Sequence, residues 1–274
     1  MRSTLNPVPR HRPSLPSRMA TPVVAGAVAL SLSACSLLSD SPPPDQLQDD
    51  QALLVNCGDE PPATLVAIDG TGSSDDEAIT VERLAAVEDI TRQTAVCGGR
   101  LRVLLFSSSS GATTTLFDGA LEAHGATPNA RLRKVPELVE AAITEISEGY
   151  EAAIEGLPGG GSDVTAQYRL GAEHIAQLGD DYRLHLYVFT DGFHNVGHKP
   201  GDSALSQSEA EALAEETTVP NLAGASVTVA GIGRVAGDPV ASDVVEGLVF
   251  YYDALCQQSK TKACTSVTDY TVGR

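Results

Sequence analysis

The sequence predicts a doubly wound α/β domain: a mostly parallel sheet, helices on both faces and one short antiparallel edge strand. Three observations carry this. Short apolar runs at 65–68, 101–106, 184–189 and 227–230 have the length and composition of strands buried on both faces. Between them lie longer stretches whose apolar residues repeat at helical spacing. The strand-like runs end in loops rich in glycine, hydroxyls and aspartate, and it is at strand ends that open α/β sheets place their ligands.

Taken in order, residues 1–34 read as an export signal. Arg2, Arg10, Arg12 and Arg18 form a basic start, and 22–34 is small and apolar. That stretch is too short for a membrane span, which needs about 20 residues. It ends in Leu32-Ser33-Ala34-Cys35, which resembles the lipobox of bacterial lipoproteins. The resemblance implies cleavage before Cys35, lipidation of its thiol, and a protein held to a membrane on the extracytoplasmic side of the cell envelope. Residues 35–56, with Pro42, Pro43 and Pro44 followed by Gln and Asp, are expected to form a flexible or extended tether. Residues 57–274 then suffice for one α/β domain with a substantial core and a tail closed by a disulfide.

Within the domain, 65–68 is the first strand. Ser74-Asp75-Asp76-Glu77 has the form of a capping box opening a helix to about residue 94. Val81, Leu84, Val87 and Ile90 are its expected inward stripe. The second strand is 101–106, and 113–117 is expected to return antiparallel at the edge. A helix from Pro136 carries Val139, Ile143, Ile146, Tyr150 and Ile154. After a glycine-rich turn another carries Val164, Tyr168, Gly171, Ile175 and Leu178. Strand 184–189, a helix near 206–216, strand 227–230 and a helix from 240 to about 258 complete the order. No internal repeat is evident.

Composition narrows the function classes. Acidic residues number 36 against 18 basic ones, a formal charge of −18, which argues against nucleic acid. Signal cleavage would remove four Arg and no acid, making the remainder more acidic still. The absence of Trp argues against a sugar-stacking site. Beyond Cys35 there are four cysteines, an even number that in an exported domain predicts two disulfides. Cys57 and Cys97 each precede a strand. If those strands are parallel neighbours the two lie at one end of the sheet and pair, leaving Cys256 to pair with Cys264.

Three loops carry chemistry: Asp69-Gly-Thr71-Gly-Ser73 after the first strand, Gly160-Gly-Ser162-Asp163 between helices, and Thr190-Asp191-Gly192 after the 184–189 strand. Carboxylates and hydroxyls converging from such loops suit a hard cation. The bland alternative is loop chemistry alone, with Ser162 a helix N-cap. In order, spacing and strand context the three loops resemble the von Willebrand factor A (vWA) domain over roughly residues 60–258. That family's fold is Rossmann-like, and its loops build a metal-ion-dependent adhesion site, or MIDAS. The resemblance implies that Thr71 and Ser73 ligate the ion directly, joined in some states by Ser162. Asp69 and Asp191 would hold coordinated waters, and an acidic side chain of a protein or other ligand would complete the shell. Mg²⁺, or else Mn²⁺, is the implied ion. Thr71 stands where Ser is commoner and Ser162 where Thr is commoner; both keep the hydroxyl. Thr165 takes the second place under a shifted alignment. His194 and His198 are expected at the surface.

Rival readings are weaker. Asp69-Gly-Thr71 echoes a phosphatase loop, but the nucleophile's place is held by Ala67, and no G-x-S-x-G supports a serine hydrolase. The chain is therefore expected to be a binding module and not an enzyme. A metal-free scaffold or assembly factor of the cell envelope is the alternative. On the lipobox reading, Cys35→Ala abolishes incorporation of a fatty-acid analogue and leaves unprocessed precursor. Metabolic labelling checks this, and equal label on both forms would refute it.

Overall fold

The structure, a computed structural model, describes residues 44–72 and 76–271. Cys35, the lipobox and Ser73 lie outside the described residues. The first element departs from expectation. Pro44–Val55 is a helix, α1, where a flexible tether was predicted. On this helix buried Asp50 accepts from Arg92 Nε at 2.7 Å, a partner that composition does not reveal. Burial pushes the Asp50 carboxyl up, and Arg92 partly offsets it. Leu47, Leu53 and Leu54 pack on the core alongside this pair.

β1 (Pro62–Asp69) is buried along its whole length, as a central parallel strand must be. α2 (Glu77–Val96) follows, capped by Asp76, whose carboxylate accepts from the Ala78 and Ile79 amides. The N-cap is therefore Asp76; Ser74, the first residue of the expected box, lies outside the described residues. β2 (Arg100–Phe106) pairs parallel with β1, and β3 (Thr113–Ala120) returns antiparallel on its outer side. A short helix, α3 (Pro128–Leu132), leads into α4 (Val135–Gly156). α5 (Val164–Leu178), β4 (Arg183–Phe189), α6 (Gln207–Glu215), β5 (Ser226–Ala230) and α7 (Ser242–Gln258) come next. β6 (Ala263–Val267), which the sequence reading left in a tail, adds a sixth strand parallel to β5.

The strand order is β3-β2-β1-β4-β5-β6, parallel except for β3. This is the doubly wound α/β class predicted. α2 and α4 cover one face around Val66, Ile68, Val103 and Leu105, and α5, α6 and α7 cover the other around Leu65, Ala67, Leu186 and Val229. The chain leaves β1 toward β2 on one side and returns to β4 on the other. The loops after β1 and β4 therefore flank a switch point of the sheet.

Of the predicted inward stripe of α2, Val87 and Ile90 are buried and Leu84 packs against the core, but Val81 is 62% exposed. The inward face also takes in Ile79, Arg83 and Ala86, and Arg83 is a buried position that a count of apolar residues passes over. Among the described residues no helix is long and apolar enough to cross a membrane.

Both predicted disulfides are present, with Cα–Cα separations of 5.5 Å for Cys57–Cys97 and 5.8 Å for Cys256–Cys264. The register Ala63↔Arg100 sets the starts of β1 and β2 side by side, which is why the first pair meets. That bridge spans 40 residues against 8 for the second, so on chain-entropy grounds it stabilises more. Replacing Cys57 and Cys97 together by Ala is expected to cost about 2–4 kcal/mol in urea unfolding. An unchanged midpoint would show that this bridge is dispensable.

Candidate functional site

Asp69 is the last residue of β1, and both its oxygens are engaged by loops that the fold brings together. Oδ1 accepts from the Thr71 amide at 3.1 Å, the Thr71 hydroxyl at 2.8 Å and the Ser162 hydroxyl at 3.1 Å. Oδ2 accepts from the Thr190 hydroxyl at 2.8 Å. The carboxylate is fully buried. Of the residues nominated from sequence, the structure thus joins Asp69, Thr71 and Ser162 directly. Asp191 is the neighbour of Thr190, is also fully buried, and accepts from the Phe193 amide at 2.9 Å.

Of the two hydroxyls weighed for the second loop, Ser162 faces Asp69 and Thr165 does not. The Thr165 hydroxyl turns away to Asp163 Oδ1 at 2.9 Å. Asp163, not Ser162, caps α5, accepting from the Ala166 amide and from Arg169. The capping role weighed for Ser162 is therefore already filled, and its hydroxyl is free to turn to Asp69. Its amide is fixed by Asn195 Oδ1 at 2.8 Å, and the Asp163 amide by the Ser107 carbonyl at 2.9 Å. Gly161 has φ +156°, and a Cβ there would collide with Asn195 Oδ1, so the anchor requires glycine.

His194 corrects another expectation. It is buried, and its Nδ1 accepts from the Val164 amide at 3.1 Å. Burial lowers its proton affinity, which Asp163 partly restores. His198 is half-exposed, 3.8 Å from Glu216.

Below the loops, Arg83 is fully buried and donates from Nη1 to the Asp69 carbonyl at 3.1 Å and from Nε to the Tyr270 hydroxyl at 3.0 Å. The guanidinium also lies over the Tyr270 ring, 5.4 Å from its centroid. Tyr252 donates to the Gly192 carbonyl at 2.8 Å. Burial raises its proton affinity far above the usual phenol range, reinforced by neighbouring tyrosines, Asp191 and Asp69, so it remains a donor. Thr190, Arg83, Asn195 and Tyr270 were not nominated from sequence. Only Thr190, inside the Thr-Asp-Gly motif, and Arg83, a charge in the middle of an inward stripe, carried a readable signal.

The oxygens pose a proton-counting problem. Asp69 Oδ1, Thr71 Oγ1 and Ser162 Oγ form a triangle with sides of 2.8, 3.0 and 3.1 Å. Three contacts of hydrogen-bond length share only two hydroxyl protons. If both protons go to the carboxylate, Thr71 and Ser162 face one another lone pair to lone pair. Such a pair suits a small cation: cis oxygens about 2.1 Å from an octahedral ion lie about 3.0 Å apart. Among the described residues no three His, Cys, Asp or Glu side chains cluster as metal ligands.

No protein-family model matches the chain, and no curated protein matches its sequence. Among solved structures it is similar to the conserved hypothetical protein BatB from Bacteroides thetaiotaomicron. That match has 10% identity and a TM-score of 0.41, over 75% of this chain and 89% of that one. It is also similar to an aerotolerance-related membrane protein from Bacteroides fragilis, at 12% identity and TM-score 0.40, over 75% of this chain and 90% of that one. The pilus adhesin SpaC from Lactobacillus rhamnosus GG, in its open conformation, matches at 14% identity and TM-score 0.42, over 78% of this chain and 28% of that one.

Thr190→Val tests the hub without touching the oxygen triangle. It leaves Asp69 Oδ2 buried without its donor, and the expected loss of stability is about 1–3 kcal/mol. Chemical denaturation reads it out; a neutral substitution would mean Oδ2 finds another partner.

Proposed function

We propose that this protein is a lipid-anchored, extracytoplasmic binding module of vWA type that grips an acidic ligand through a divalent cation. The observation that supports it is the oxygen triangle, which has one proton too few, and its Thr71–Ser162 edge of 3.0 Å, the spacing of cis ligands in an octahedral shell. Thr71 and Ser162 would hold the ion with their lone pairs while their protons stay on Asp69. Ser73 and Asp191 are the remaining nominated ligands. Mg²⁺ suits a site of hydroxyls with few direct carboxylates better than Ca²⁺ does, and Mn²⁺ is the alternative. The cation supplies positive charge at an open position for a carboxylate of a protein or other acidic partner. Two disulfides match the oxidising compartment such an anchor implies.

A second reading has an observation in its favour. Asp69 already receives four hydrogen bonds from Thr71, Ser162 and Thr190, so the loops hold together as a metal-free scaffold would require. The same fact makes Asp69 a poor position for a mutational test: Asp69→Ala removes the common acceptor of three loops and weakens the fold as well as the site.

Ser162→Ala is therefore the cleaner variant. In calorimetric titrations the wild type is expected to bind Mg²⁺ and Mn²⁺ weakly, and Ser162→Ala about tenfold more weakly or worse, roughly 1.4 kcal/mol. Urea unfolding of the apo variant is expected to change little. Wild type that binds neither ion, alone or with its captured partner, would leave the scaffold reading in place.

A further inference from the structure

The sheet is not covered evenly. On the face packed by α2 and α4, the rows His185–Ser226–Ala263 and Tyr187–Thr228–Thr265 run across β4, β5 and β6 and remain half-buried or exposed. Under this open half, at the end of the sheet opposite the Asp69 loops, lies a cavity of about 270 Å³. Its wall includes Arg183, His185, Tyr187 and Lys262, together with the Cys57–Cys97 bridge.

The cavity runs against the charge of the whole. The chain carries −18, yet here two permanent cations and an imidazole face one carboxylate, Glu60. Glu60 does not fill the space. It pairs with Arg183 at 3.0 Å and is itself about half exposed. That pairing and the Arg183 amide bond to the Pro61 carbonyl hold Arg183 in place, and the guanidinium fills the space that a side chain at Gly58 would need. The Lys262 backbone is fixed by its amide bond to the Ala225 carbonyl at 2.8 Å, which leaves its exposed side chain to reach. Among the described residues, neither the His185 ring nor the Tyr187 hydroxyl has a hydrogen-bond partner.

We infer that this cavity binds an oxyanion of phosphate size, a second site remote from and independent of the cation site. Arg183 offers N–H donors beside its Glu60 pair, Lys262 a mobile ammonium, Tyr187 an O–H and His185 a ring N–H. The chemistry fits a free phosphate or the headgroup of an anionic lipid equally well, and the size of the cavity admits either group. Burial and the Arg183 charge currently hold His185 below the usual imidazole range. An oxyanion lodged beside it reverses that bias, because the imidazolium gains a partner.

The test uses the full chain with EDTA present, so that the outcome does not depend on the cation site. Inorganic phosphate is titrated while the ring resonances of His185 are followed by NMR across pH. In parallel, phosphatidylglycerol vesicles are compared with neutral ones in flotation. The expected result is saturable binding that raises the titration midpoint of His185 and weakens about tenfold in Lys262→Ala. Lys262 is exposed, so that variant folds. Lys262-dependent flotation with anionic vesicles, without a response to free phosphate, would identify the lipid headgroup as the source of the oxyanion. Absence of both responses, or responses equal in Lys262→Ala and wild type, would overturn the proposal.

Discussion

One buried carboxylate organises the loop end of this sheet. Asp69 sits where β1 gives way to a loop, and its two oxygens accept from the loops after β1, between α4 and α5, and after β4. A charge removed from water is costly unless every lone pair finds a donor. Four donors from three segments meet that requirement, and the donors are thereby fixed in position. The same demand that makes Asp69 hard to bury fixes the hydroxyls of Thr71, Ser162 and Thr190 around it. The switch in sheet order between β1 and β4 is what lets loops so distant in sequence reach it.

Beneath that carboxylate the charge balance continues into the core. Arg83 ties the backbone of Asp69 to the ring and hydroxyl of Tyr270, which packs edge-on against Phe189 at 5.4 Å. Gly231, with φ +91°, lies so close to Tyr270 that any Cβ would strike the ring. Polar and apolar packing therefore act together here: the ring holds the guanidinium, and the guanidinium holds the strand end.

The legible parts of the structure were those set by local pattern. Continuous apolar runs announced β1, β2, β4 and β5, and cysteines placed just ahead of neighbouring strands announced their bridge. The Asp-Gly-Thr and Thr-Asp-Gly loops announced the segments around Asp69. Elements specified by long-range partners were not legible. α1 depends on an ion pair between Asp50 and Arg92, and β6 is a short strand that only its pairing with β5 defines. Arg83 broke the apolar period of α2 because its needs are met by residues far away in sequence. His194 lies in a Gly- and Pro-containing loop that looks exposed, yet it is drawn inward by the Val164 amide at the head of α5. The choice between Ser162 and Thr165 likewise turned on Asp163, whose capping bonds settle which hydroxyl faces inward.

The bond between Arg83 and Tyr270 also orders events in time. The site draws on residues from Asp69 to Tyr270, so its foundation is incomplete until all of that chain has been made and brought together. A partly synthesised chain holds the first loop but lacks the phenol that seats Arg83, so the last residues of the chain decide when the Asp69 end of the sheet can be completed.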